Sequence, residues 1–154
     1  MDRQVDYGAI ASTAYEGLSD VGEFVASSSL EDTLVELVKL RASQLNNCAY
    51  CVDLHTRKAQ EHGADARRVA AIGAWRESPF FDDRERAALA LTETLTKMAC
   101  DPVDDAVVEA AWEYFEEDEL VALVMTVVQI NSWNRLWVTF RTPEIPPLGA
   151  EDGD

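Results

Sequence analysis

The sequence predicts an all-α fold. Apolar residues recur at spacings of three, four and seven rather than in alternation. No stretch of useful length carries a period of two. Helix stop and start signals punctuate the chain at short intervals. There is no internal repeat and no low-complexity tract.

The elements follow in order. Tyr7 to Ala26 carries small and apolar residues and predicts a first helix, broken by Ser27-Ser28-Ser29. Ser28 and Glu31 have capping-box spacing ahead of an apolar run. Leu30, Leu34, Leu37, Val38 and Leu45 then mark one face of a second helix ending near Leu45. Asn46-Asn47 is a turn signal, and either Asn could cap the third helix. That helix holds Cys48 through about Glu61 and stops near Gly63, a left-handed C-cap. Ala64 to Trp75 reads as a short fourth helix and Glu77 to Phe81 as a loop. Asp82 or Asp83 caps a fifth helix running to Met98. After the break at Pro102, Val103 to Phe115 is amphipathic. The acidic run Glu116 to Glu119 sits where the positive end of a helix dipole favours it. Leu120 to about Phe140 is apolar on more than one face, as in a central helix or a subunit interface. Thr142-Pro143 ends it. Residues 1–141 are thus expected to form one helical domain, and 142–154 a mobile tail rich in Pro, Gly and acidic residues.

Composition narrows the function classes. The chain has 154 residues, 47% of them hydrophobic, enough for one domain with a proper core. Its 29 acidic and 13 basic residues give a formal charge of −16. Such a surface repels phosphate backbones and anionic membranes, so neither nucleic acid nor membrane is an expected partner. Polar residues from Gln129 to Arg135 disqualify the most apolar stretch as a membrane span. The first residues show neither a basic region nor an apolar one, so a cytoplasmic location is expected.

Three cysteines cannot make a disulfide scaffold, but two of them form the close pair Cys48-Ala49-Tyr50-Cys51. On one helix, Cys48, Cys51 and His55 share a face. Cys51 and His55 are four residues apart, so thiol and imidazole are neighbours. Free N–H groups at a helix start favour a thiolate there, and a nearby His can accept the thiol proton. A sulfenic acid formed on one cysteine can condense with the other to a disulfide that reductants reopen. This pattern suits a thiol peroxidase or a thiol–disulfide exchanger. It also leaves open a zinc site, with Cys100 or His62 as fourth ligand. A thioredoxin-like context is missing, since no strand precedes the pair. Cys100 by itself reads as a small buried hydrophobe, and His62 as a dipole partner at a helix end. Trp75, Trp112, Trp133 and Trp137 read as core or interface anchors. Glu36 by itself reads as a surface charge.

The segment Glu36 to His55, with Glu36 on one helix, a polar loop, and Cys48-x-x-Cys51-x-x-x-His55 opening the next, resembles the AhpD-like alkylhydroperoxidase branch of the carboxymuconolactone decarboxylase family. The resemblance extends through Thr56 to Gly63 and reappears at Ala74 to Pro79 and Ile130 to Arg135. It implies a helical fold assembled as a homo-trimer or homo-hexamer, with no metal or organic cofactor. It implies a peroxidase in which Cys51 meets an organic hydroperoxide or hydrogen peroxide and Cys48 closes the disulfide. His55 and Glu36 would form the proton relay, and a lipoyl-bearing or thioredoxin-like dithiol protein would be the reductant. One departure bears on rate and substrate preference: Tyr50 precedes Cys51, where some family peroxidases carry a second His. Two alternatives remain. A lactone decarboxylase of the other branch has no use for the cysteine pair. A redox-sensing or zinc-stabilised module would lack turnover.

Overall fold

The computed structural model describes residues 5–145 and 147, and among these every regular element is helical. The helices are α1 (Tyr7–Ile10), α2 (Ser12–Ala26), α3 (Asp32–Leu45), α4 (Ala49–Glu61), α5 (Ala66–Ala71), α6 (Asp83–Lys97), α7 (Asp105–Tyr114) and α8 (Glu117–Phe140). A 3₁₀ turn, Ile72–Ala74, continues α5. No described helix is long and apolar enough to cross a membrane.

α3 is the central strut and packs against α4, α6 and α8. One side of it enters a large apolar cluster through Leu34, Val35 and Val38, which meet Leu91 of α6 and Leu123 and Val127 of α8. Leu37 and Leu40 on its other side join a second cluster with Ala59, Ile72, Trp75 and Leu89. A third, smaller cluster holds Ala42, Cys48, Cys51, Ile130 and Trp137. The cysteine pair therefore lies where α3, α4 and α8 converge. α8 carries buried residues on several sides yet leaves Val121 and Val128 about half exposed.

Most helix boundaries agree with the sequence, and the departures have local causes. The single helix expected over Tyr7 to Ala26 is divided at Ala11, whose φ of −124° leaves the helical region. Tyr7 is instead tied to the opposite end of the chain, packing on Phe140 and donating its hydroxyl to the Thr142 carbonyl. The Ser28–Glu31 capping box does not form. The Ser28 hydroxyl donates back to the Val25 carbonyl, and Glu31 is the N-cap of α3 without a side-chain bond. Real capping boxes occur at Asp82 with Glu85 and at Glu116 with Glu119. The acidic run thus opens α8 rather than preceding it. Gly63 has φ +90°, the left-handed conformation expected at the end of α4.

Most of the expected tail, 142–154, lies outside the described residues. Its first residues are held: Thr142 by Tyr7, and the Pro143 carbonyl by the Trp137 indole N–H at 2.8 Å.

Candidate functional site

The geometry begins in the link between α3 and α4. Asn47 adopts φ +53°, a left-handed conformation that Asn tolerates because its short amide can bond locally. The chain thereby reverses within three residues, and α4 folds back along α3. Cys48, rather than either Asn, is the N-cap of α4, and the Cys51 backbone N–H donates to its Sγ at 3.4 Å. Asn46 has a different task. Its amide donates to the side-chain carbonyls of Asn131 and Asn134 on α8, each at 2.9 Å. Asn134 in turn donates to the Ser43 hydroxyl, and Arg135 donates to the Asn131 backbone carbonyl. These bonds fix the turn against α8, because buried amides without partners would be costly.

Cys48 and Cys51 are joined as a disulfide. Their environments differ. Cys48 is fully buried, whereas Cys51 lines a cavity of about 320 Å³. His55 lines the same cavity one turn further along α4. Its Nδ1 lies 2.6 Å from Glu36 Oε2, across from α3. Both side chains are buried, at 7% and 6% exposure. The structure thus places all four residues expected at the site, Glu36, Cys48, Cys51 and His55, on the two helices of one hairpin.

Electrostatics assign the protons. Burial holds the His55 imidazole below its ordinary value of 6.5, and the Glu36 bond offsets only part of that effect. For Glu36, burial works to raise the carboxyl, but the His55 bond and the charges of His55, Lys39 and Lys58 outweigh it and hold the group below 4.5. At neutral pH the pair is therefore a carboxylate accepting Nδ1–H from a neutral imidazole. Nε2 is then left with a lone pair, the state of a general base. Lys39 Nζ stands 3.5 Å from the other Glu36 oxygen.

The cavity walls were not legible as a site. Trp133 and Trp137, expected as packing anchors, both line it. Trp137 stacks on Tyr50 at a centroid distance of 5.9 Å, and Trp133 meets Tyr15 edge-on at 5.0 Å. Ile130, Trp133 and Trp137 are spaced as one face of a helix, the one signal that could have grouped them. Trp75 is a core residue as expected, while Trp112 is exposed. Cys100 is exposed rather than buried, because it follows the end of α6 beyond any packed face. His62 caps the opposite end of α4 from the cysteines, its carbonyl accepting from Thr33. Neither joins the pair, and among the described residues no group of three or more His, Cys, Asp or Glu side chains is arranged to hold a metal. Arg41 pairs with Glu93 at 2.7 Å, away from the disulfide.

Comparison with known proteins identifies the family and the fold. Residues 13–94 match the model of the carboxymuconolactone decarboxylase family. The uncharacterized protein YdfG of Bacillus subtilis is 37% identical over 136 residues, covering 88% of this chain and 92% of its own. A solved structure from Agrobacterium tumefaciens, of unknown function and with a suggested AhpD role in antioxidant defence, superposes with a TM-score of 0.87. It is 33% identical, covering 94% of this chain and 98% of that one. The debrominase Bmp8 shares the fold, with a TM-score of 0.71 at 20% identity over 84% of this chain and 68% of its own. With over half its length matched by the family model, and with the cysteine pair, His55 and Glu36 assembled on one hairpin, the chain belongs to the carboxymuconolactone decarboxylase family.

Proposed function

We propose that the protein is a thiol-dependent peroxidase that reduces organic hydroperoxides or hydrogen peroxide through Cys51. The observation that carries this reading is the asymmetry of the disulfide: Cys51 and His55 face one cavity, and Cys48 is sealed behind them. In the reduced protein His55 takes the Cys51 proton, and the thiolate attacks the terminal peroxide oxygen. The O–O bond breaks, sulfur is oxidised to the sulfenic acid, and the alkoxide leaves with the proton from His55 as an alcohol. The Cys48 sulfur then attacks Cys51. The S–S bond forms and the hydroxyl leaves as water, carrying the Cys48 proton.

A dithiol reverses this by attacking Cys51, the sulfur that the cavity reaches. It becomes a disulfide itself and leaves two thiols on the protein. The Cys51 N–H, aimed at the Cys48 sulfur, favours Cys48 as the departing thiolate. Glu36 acts through His55 by fixing its tautomer. A lipoyl-bearing or thioredoxin-like protein suits the reductant role, and the half-exposed Val121 and Val128 on α8 suit burial in a homo-trimer or homo-hexamer.

The test counts free thiols in reduced protein before and after addition of an alkyl hydroperoxide. The three thiols of the sequence should fall to one. Cys51→Ser should abolish this reaction. Survival of all three thiols in the unaltered protein would end the peroxidase reading.

A further inference from the structure

The cavity beside Cys51 has the opposite charge character from the rest of the protein. The chain carries 29 acidic residues against 13 basic ones. Yet among the described residues no Asp or Glu lines the cavity, while Lys39 of α3 and Lys58 of α4 both do. Lys39 is held near Glu36. Lys58 is exposed, three residues beyond His55 and so on the same side of α4. Both ammonium groups lie near enough to His55 to oppose its charging. The remaining wall is largely aromatic, with Tyr15, Tyr50, Trp133 and Trp137 around Ile130. About 320 Å³ is at the small end of ligand cavities and accommodates a single ring with short substituents.

An apolar wall recognises a hydrocarbon body, and two cations at its edge recognise an anion. The anion should carry one charge, because a chain at −16 repels multiply charged ligands as they approach. We infer that the cavity selects a hydroperoxide whose organic part joins a ring-sized apolar body to a carboxylate, with the body against the aromatic wall and the carboxylate at Lys58 and Lys39. This assignment rests on the peroxidase reading and names its substrate class. Hydrogen peroxide, with neither feature, is then the poorer substrate.

A matched pair of probes tests it: cumene hydroperoxide and the same molecule with a para-carboxylate. Fully reduced protein is mixed with each, without reductant, and the rate of thiol loss is followed in a single turnover. At low salt the carboxylated probe should react about 10-fold faster. That advantage should shrink towards parity as salt rises to about 0.5 M. Lys58→Gln should bring the ratio of the two rates near one, and Lys58→Glu should invert it. The ratio cancels any effect of these changes on His55 itself. Equal rates in the unaltered protein, or a ratio insensitive to both substitutions, would overturn the assignment. If cumene hydroperoxide consumes two thiols without any preference for its carboxylated form, the substrate class fails and the peroxidase reading stands. If neither probe consumes thiols, both fail together.

Discussion

Two buried glutamates, Glu36 on α3 and Glu93 on α6, have the same 6% exposure and opposite surroundings. Glu93 is saturated. Arg41 Nε and the Trp75 indole N–H donate to one oxygen at 2.7 and 2.9 Å, and Arg76 donates to the other at 2.7 Å. Burial would raise its carboxyl, but these three donors, with the charge of Arg41, hold it below the ordinary range. Glu36 has one short bond, to a histidine that does titrate, and a long contact to Lys39. Equal burial therefore does not mean equal purpose. One carboxylate is clamped by permanent cations and ties α6 to α3 and the segment at Trp75. The other orients an imidazole that burial, against the pull of the carboxylate, keeps neutral.

The largest effect expected from this contrast is at the clamped site. Glu93→Gln removes the charge that balances Arg41 and Arg76 and should cost about 3 kcal/mol of folding stability at pH 7, read by urea denaturation. The sign of its pH dependence follows from the depressed carboxyl. Its stabilisation is complete above the ordinary value of 4.5 and is lost as pH falls through the lower folded value. The difference between Glu93→Gln and the unaltered protein should therefore close in acid. A variant as stable as the parent would break the comparison.

Glu36→Gln should do the reverse. Stability should change by less than about 1 kcal/mol, since the amide oxygen can still accept from His55. The rate of peroxide-driven thiol loss should fall about 100-fold, the usual scale of a disturbed acid–base group. A variant that consumes thiols as fast as the parent would show that the Glu36 charge contributes nothing through His55.

That tautomer is directly measurable. In the disulfide form, imidazole resonances should report a neutral His55 with Nδ1–H at pH 7 and protonation only below the ordinary 6.5. Because the folded value is depressed, His55 contributes stability above 6.5, and this is lost as pH falls through its folded value. An imidazole charged at neutral pH would contradict the assignment of His55 as base.

The smallest effect is expected at Lys39. Its 3.5 Å contact with Glu36 is long, so Lys39→Gln should alter stability by less than about 0.5 kcal/mol, measured by the same denaturation. Arg41→Gln, at a short bond, should cost several times more.

The contrast between the two glutamates was invisible in the sequence. Each is a charged residue on an amphipathic helix, and by composition alone each reads as solvent-facing. Only the resemblance of the segment around it singled out Glu36, and nothing singled out Glu93. The cysteine pair and His55 were legible because their relation is local. Residues three, four and seven apart in one helix must share a face, whatever that helix later packs against. Cys48 as the cap of α4 was not legible, because the cap was decided by the left-handed Asn47 and by the pull of Asn46 towards α8.

The sequence by itself determined the all-α class, most helix boundaries and the face shared by Cys51 and His55. These depend on periodicity and capping, which act within a few residues. Tertiary structure alone decided which sulfur meets the cavity, that Glu36 bonds His55 while Glu93 is clamped, and that Lys39, Lys58, Trp133 and Trp137 share one cavity. Those relations join α2, α3, α4 and α8 and the ends of the chain. They arise from how buried surfaces pack and how buried charges find partners, and neither is written in the spacing of neighbouring residues.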